Sequence, residues 1–358
     1  MDQPLAPGAT VGILGGGQLG RMLALAAARL GFKCHIYAPE TDSPAFYVSA
    51  THTIGAYTDF TALGRFAGAV DVVTYEFENV PAETADYIET RRPLRPNALA
   101  LRTSQDRVAE KTFIAGLGIP VAPFAPVASE ADLETAIAKI GRPAILKTRR
   151  FGYDGKGQTR IAAGTSPAAA WAEIGKAPAI LEAHVNFDME ISIVAARGCD
   201  GAIAIYDVCE NRHLNHILHT TTVPAVIAPE EVEEALAIGG RIIAALDYVG
   251  VMGIEMFAGA GGLVVNEIAP RVHNSGHWTM DACNVSQFEQ HIRAICGWPL
   301  GNPFRHSDVV MTNLLGEDAD QWAKLAAEPH AVLHLYGKAK ARHGRKMGHV
   351  NRLTPRHA

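Results

Sequence analysis

Residues 253–277 run GIEMFAGAGGLVVNEIAPRVHNSGH. An apolar run carrying one acid, Glu255, meets a glycine-rich turn at 259–262 and returns through LVVNEIA with a second acid, Glu267. Alternating apolar runs around glycines predict a β-hairpin. A five-residue turn sets Glu255 and Glu267 opposite each other on one face. Opposed carboxylates repel, and a Mg ion offsets this, since it takes oxygen ligands from one or two carboxylates plus substrate phosphates. A register one residue off gives instead an ordinary hairpin with both acids in water. Arg271, His273, Asn274, Ser275 and His277 then fall within seven residues, a density of donors that favours a site wall over a core.

Length and composition bound what surrounds this hairpin. At 358 residues and 48% hydrophobic, the chain predicts two or three domains. A net charge of -5 gives no overall attraction to nucleic acid or anionic membrane. Apolar stretches stay short of a membrane span and the start lacks a basic, apolar leader, so a soluble cytoplasmic protein is expected. Cys34, Cys199, Cys209, Cys283 and Cys296 are odd in number and scattered, which argues against a disulfide framework or a zinc knuckle.

Upstream, an apolar strand at 10–14 runs into Gly15-Gly16-Gly17-Gln18-Leu19-Gly20 and a helix at 21–30. This matches GxGxxG, a phosphate-cradle geometry in which a helix start offers free N–H groups. The next strand ends in Tyr37 and Ala38 rather than in an acid for a ribose, which weakens a dinucleotide reading. A strand at 70–75 leads to Glu76 and Glu78, placed either for a ligand or for the dipole of a helix starting at Pro81. One helix is expected over 104–117. Lys147 sits in an apolar strand and needs an anionic partner. The loop from Gly152 through Tyr153, Asp154, Gly155, Lys156 and Gly157 to Gln158 suits a mobile hairpin whose amides wrap phosphates. Glu182 and Glu190 are isolated acids among apolar residues, and His213, His216 and His219 read as structural or substrate-lining rather than metal-binding. The tail from 338 is basic without an acid, a local anion site or a solvated tail.

Taken in order, GGGQLGRM, TYEFENV, GYDGKGQ, NEIAPRVHNSGHW, and YGK followed by GRKMGH resemble the ATP-grasp superfamily, and within it the 5-(carboxyamino)imidazole ribonucleotide synthases of purine biosynthesis. The likeness spans almost the whole chain, with Phe151 in place of a further loop glycine as a mild departure. It implies an α/β ATP-grasp fold: a Rossmann-like domain at 1–100, an ATP-grasp domain at 101–300 with a lid near 121–185, and a small C-terminal domain at 301–358. ATP would be held by Arg107, Lys147, the loop 152–158, Glu182, Ala183, His184, Val185, Glu190, His213, Asn266 and Glu267. Mg would be held by Glu255 and Glu267. Aminoimidazole ribonucleotide would be held by Gln18, Leu19, Glu76, His273, Asn274, Ser275, Lys338, Arg345 and Lys346. Tyr153, Asp154, Lys156, Arg271, His273 and Asn274 would act on carboxyphosphate made from ATP and bicarbonate. A homodimer without nucleic-acid or membrane partners is implied. The nearest alternative is another ATP-grasp ligase, such as a formate-dependent glycinamide ribonucleotide transformylase; a nicotinamide oxidoreductase or a silent nucleotide-binding protein are more distant.

Overall fold

A computed structural model describes residues 3–152 and 155–356, so Tyr153 and Asp154 lie outside the described residues. Among the described residues the strands form three sheets. The first is parallel, in the order Thr51–Ile54, Lys33–Ala38, Thr10–Leu14, Val72–Tyr75. Its apolar strands are buried on both faces, as parallel sheets require. Leu14 and Tyr75 are register partners, so the glycine loop and Glu76 leave the same sheet edge side by side.

The chain then turns through two helices rather than the single one expected. Ala98–Gln105 and Arg107–Gly116 are separated at Asp106, whose backbone is extended (φ -124°, ψ 112°). Its carboxylate accepts from the N–H groups of Val108 and Ala109 at 3.0 and 3.3 Å and so caps the second helix. A residue that can cap competes with the helix interior, and here the cap prevails.

A second, antiparallel sheet orders Phe124–Val127, Ala179–Ala183, Ala144–Thr148 and Gln158–Ile161, backed by the helices Glu130–Ile140 and Pro167–Glu173. The third runs Gly262–Ala269, Gly250–Gly259, Met189–Arg197, Cys209–Leu214, Ile217–Val223, Ser307–Leu315, Lys346–Pro355, Ala331–Leu335. The basic tail is therefore not solvated over 347–351: it belongs to the strand Lys346–Pro355, paired on both sides, whose Gly348, His349, Val350 and Asn351 are buried. Its lysines and arginines, Arg352 apart, lie at and beyond the strand ends, which hid the buried middle.

The hairpin also differs from expectation in its turn. Gly259 pairs with Gly262 across a two-residue connection, and a bulge follows between Glu255 and Met256. That extra residue, Asn266, restores the pairing of Glu255 with Glu267. The opposed acids are thus built by a bulge, not by a long turn.

Candidate active site

The face of the large sheet that carries Glu255 and Glu267 floors a cleft of about 660 Å³, closed by the glycine loop of the small sheet and by the carboxyl edge of the parallel sheet. Both carboxylates sit deep in it. Burial, and then the charge of Glu267, pushes Glu255 up to about 7. Burial acts on Glu267 in the same sense, but Arg107, whose Nη1 lies 3.0 Å from Oε2, holds that carboxyl below its usual range. Arg107 opens the second helix, and its Nη2 donates to the carbonyl of Gly152 at 3.2 Å. One guanidinium therefore ties the acid pair to the glycine loop. Charge repulsion stored between two facing carboxylates is what a divalent cation relieves, so this pair fits Mg.

Two residues that the sequence reading did not single out support the pair from below. Glu110, one turn past Arg107, accepts from the N–H of Ile268 at 2.6 Å and is pushed up to about 8 by burial and then by Glu267. Lys111 is buried and donates to the carbonyl of Val265 at 3.3 Å. It also lies 3.8 Å from Glu182, while Lys147, on the neighbouring strand, lies 2.8 Å from the same oxygen. Lys147 thus has its anionic partner within the protein. Burial pushes Glu182 up, and the two ammonium groups, Lys147 first, bring it below its usual range.

The opposite wall is formed by the donors after the hairpin. Arg271 Nε donates to Glu78 at 2.5 Å, which holds that half-buried carboxyl below its usual range against the cost of burial. His273 is neutral, drawn down to about 3 by burial and then by Arg271. Gln287, also missed, accepts from its backbone N–H at 2.8 Å and donates to its carbonyl at 2.7 Å. Both side-chain polar atoms of Asn274 are buried without a partner at this wall. An amide left with donor and acceptor unmet costs stability, so its position calls for a ligand.

At the parallel-sheet end the glycine loop is not an empty phosphate cradle. The Glu76 carboxylate takes the N–H groups of Gly17 and Gly20, the latter at 2.6 Å. The helix start expected to receive a phosphate is therefore already capped by a carboxylate from the adjacent strand end. Gln18, Leu19 and Lys346 reach the cleft beside it. Glu76→Ala would leave those amides unmet; the expected result is a loss of about 1–3 kcal/mol of stability, measured by urea denaturation.

Of the residues singled out from sequence, the cleft also gathers Gly152, Gly155, Lys156, Gln158, Glu190, His213 and Asn266. His213 contacts Glu190 through Nδ1; burial lowers its affinity for a proton, and the carboxylate raises it by more. Several others stand back from the cleft wall. Ser275 is buried beneath it, and Gly157 is turned against Thr148. Glu182, Ala183, His184 and Val185 lie at the end of the strand Ala179–Ala183 and just after it. Lys338 donates to the carbonyl of Lys346 at 2.7 Å and is lowered to about 8 by burial and then by Arg345, while Arg345 donates to the carbonyl of Lys340 at 2.7 Å. The second-layer residues escaped the sequence reading because a buried polar side chain in a helix, such as Glu110 or Gln287, has no spacing that marks it.

Opposed sheet carboxylates facing a lysine strand and a glycine loop between two antiparallel sheets define an ATP-grasp enzyme, and the model of the ATP-grasp domain matches residues 112–288. The ribonucleotide synthetase preATP-grasp domain matches 8–105, and the phosphoribosylaminoimidazole carboxylase C-terminal domain matches 309–358. The chain belongs to the N5-carboxyaminoimidazole ribonucleotide synthase family. Its relative of that name from Brucella melitensis is 52% identical over 355 residues, covering 98% of each chain. That of Pseudomonas aeruginosa is 44% identical over 340 residues, covering 95% of this chain and 93% of its own. The crystal structure of the Aspergillus clavatus N5-carboxyaminoimidazole synthase in complex with ADP and 5-aminoimidazole ribonucleotide superposes with a TM-score of 0.91 at 30% identity, covering 98% and 94% of the two chains. The Staphylococcus aureus synthetase complexed with ADP gives 0.94 at 38% identity, covering 99% and 95%.

Proposed function

We infer that this enzyme carboxylates the exocyclic amine of 5-aminoimidazole ribonucleotide with ATP and bicarbonate, yielding N5-carboxyaminoimidazole ribonucleotide, ADP and phosphate. The observation that carries the reading is one cleft with two kinds of wall: the acid pair, Lys147 and the glycine loop at one end, Gln18, Glu76 and Lys346 at the other, with Arg271 and Asn274 between them. An acyl phosphate formed at the first end arises beside an amine held at the second. Bicarbonate oxygen attacks the terminal phosphorus of ATP, and the bond to ADP breaks. The amine nitrogen then takes the carboxyl carbon, from carboxyphosphate or from carbon dioxide released by it. The carbon–oxygen bond to phosphate breaks, and the phosphate leaves with the amine proton.

Lys147, Lys156 and Arg271 spread the charge of phosphoryl transfer. Glu255 and Glu267 would hold Mg, which would supply charge neutralisation for phosphoryl transfer. Arg107, the loop 152–158, His213 and Asn266 bind ATP; the purine rests on the backbone from Glu182 to Val185 and the ribose on Glu190. Lys338, Arg345 and Lys346 hold the ribonucleotide with Gln18, Leu19, Glu76 and Ser275, and His273 and Asn274 position its amine and the carboxyl group. Tyr153, Asp154 and Lys156 close the loop, excluding water from a hydrolysable intermediate. The division at 1–100, 101–300 and 301–358, a cytoplasmic site of action and a homodimer complete the proposal; sedimentation velocity tests the last.

The test is phosphate release from MgATP and bicarbonate, with and without 5-aminoimidazole ribonucleotide, beside glycinamide ribonucleotide plus formate. Strong stimulation by the imidazole substrate alone is expected. Stimulation by formate and glycinamide ribonucleotide instead would overturn the assignment.

A further inference from the structure

Behind the acid pair runs a line of buried polar side chains of which the proposed reaction uses only Ser275, and His273 at its end. Ser192 is the register partner of Glu255 on the next strand, so it extends the row of Glu267 and Glu255 across the same face. Its hydroxyl lies 2.7 Å from the Ser275 hydroxyl, which lies 2.8 Å from His273 Nδ1. On its other side Asn211 Nδ2 donates to Ser192 Oγ at 2.8 Å, and Thr221 Oγ donates to Asn211 Oδ1 at 2.9 Å. Thr221, Asn211, Ser192 and Ser275 are all buried, so water does not substitute for any member.

The direction of this chain is fixed by groups that have no choice. The backbone N–H of Ser275 can only donate, and it points to His273 Nδ1 at 3.4 Å. Nδ1 is therefore the bare ring nitrogen, and a neutral imidazole must carry its hydrogen on Nε2. Cys209 Sγ donates to the Ser192 carbonyl at 3.2 Å, so its hydrogen is spent there. Ser192 accepts from Asn211 and gives its own hydrogen to Ser275 at 2.7 Å in preference to Cys209 Sγ, a weaker acceptor at 3.1 Å, which leaves the hydrogen of Ser275 for Nδ1. The far end of the line is His273 Nε2, 3.4 Å from Glu255 Oε1.

We propose that Ser275, Ser192, Asn211 and Thr221 are positioning residues that lock His273 in its Nε2–H form, so that the imidazole offers the reacting centre a hydrogen-bond donor and no lone pair. His273 then steadies Glu255 and the incoming carboxyl oxygen and does not take the proton of the amine. The catalytic half of this statement rests on the carboxylation proposed above; the tautomer does not.

Two-bond proton–nitrogen correlation spectra of the full-length protein labelled with nitrogen-15 histidine read the tautomer directly. The expected signature for His273, assigned by loss of its signals in His273→Gln, is a bare Nδ1 and a protonated Nε2. A protonated Nδ1, or a mixture of forms in the wild type, would overturn the proposal without any other variant. In Ser192→Ala the second tautomer is expected to appear, with kcat for ribonucleotide-stimulated phosphate release down roughly tenfold and ADP affinity unchanged. Ser192→Ala with a single Nε2–H form and full kcat would exclude the chain as the cause. A wild type that shows the tautomer but no stimulation by the ribonucleotide would count against the reaction and leave the lock standing.

Discussion

Glu267→Gln is expected to lower kcat/KM for ribonucleotide carboxylation roughly 10³-fold while binding of 5-aminoimidazole ribonucleotide persists. The substitution preserves volume and removes one charge, so its effect is confined to what that charge does. Glu267 stands opposite Glu255 in register and pairs with Arg107 at 3.0 Å. A neutral amide halves the anionic pair proposed to hold Mg, and it leaves Arg107 facing a neutral acceptor where it had a carboxylate, so its hold between the acid pair and Gly152 of the glycine loop is weakened. Both losses fall on the ATP end of the cleft; Gln18, Glu76 and Lys346 at the other end are untouched. Steady-state phosphate release gives the first quantity and calorimetry of the ribonucleotide with the apo-protein the second. Retained kcat/KM would remove Glu267 from the metal site. Loss of ribonucleotide binding together with activity would indicate that the cleft had collapsed.

The elements that made this site legible are those in which one residue type has few other uses. A lysine in an apolar strand announces an anion, and Glu182 supplies one at 2.8 Å. Two acids flanking a glycine turn announce a shared charge, yet their register depends on a bulge at Asn266 that no local pattern encodes, because strand alternation is unchanged on either side of it. The glycine loop announced a helix start open to phosphate. Glu76 fills it, a contact made between residues far apart in sequence and fixed by the parallel pairing of Leu14 with Tyr75. The solvated alternative for the basic tail failed for a different reason. Net charge reports the ends of Lys346–Pro355, whereas pairing on both sides with Ser307–Leu315 and Ala331–Leu335 buries its middle. Of the chain from Thr221 to His273, only Ser275 and His273 stood out, in the donor-dense stretch after the hairpin; Ser192, Asn211 and Thr221 carry no mark of function until three strands and a turn bring them into line.

The acid pair has a consequence for stability as well as for catalysis. Burial and then Glu267 push Glu255 from 4.5 up to about 7, so between those values the folded protein holds a proton that the unfolded chain has released. Stability contributed by this group is present at low pH and is lost as pH rises toward 7. Glutamine cannot ionise, so apo Glu255→Gln is expected to match the wild type at pH 4, below the unfolded value, and to melt higher at pH 8. Because the side chain is partly exposed, about 1–2 kcal/mol of the shift should survive solvent screening, a difference of roughly 2–6 °C in Tm. Buried His277, His291 and His349 pull the other way, since they are neutral when folded and charge on unfolding below pH 6.5, but they are common to both proteins and cancel in the comparison. MgADP should reverse the order at pH 8, because a ligand that binds the folded state stabilises in proportion to its affinity, and the variant lacks one of the two carboxylates. Differential scanning fluorimetry at both pH values, with and without MgADP, reads all of this. A variant that melts below the wild type at pH 8 without ligand would mean that Glu255 is ionised at no cost in the apo-protein, and that the opposed carboxylates are not what draws a cation into the cleft.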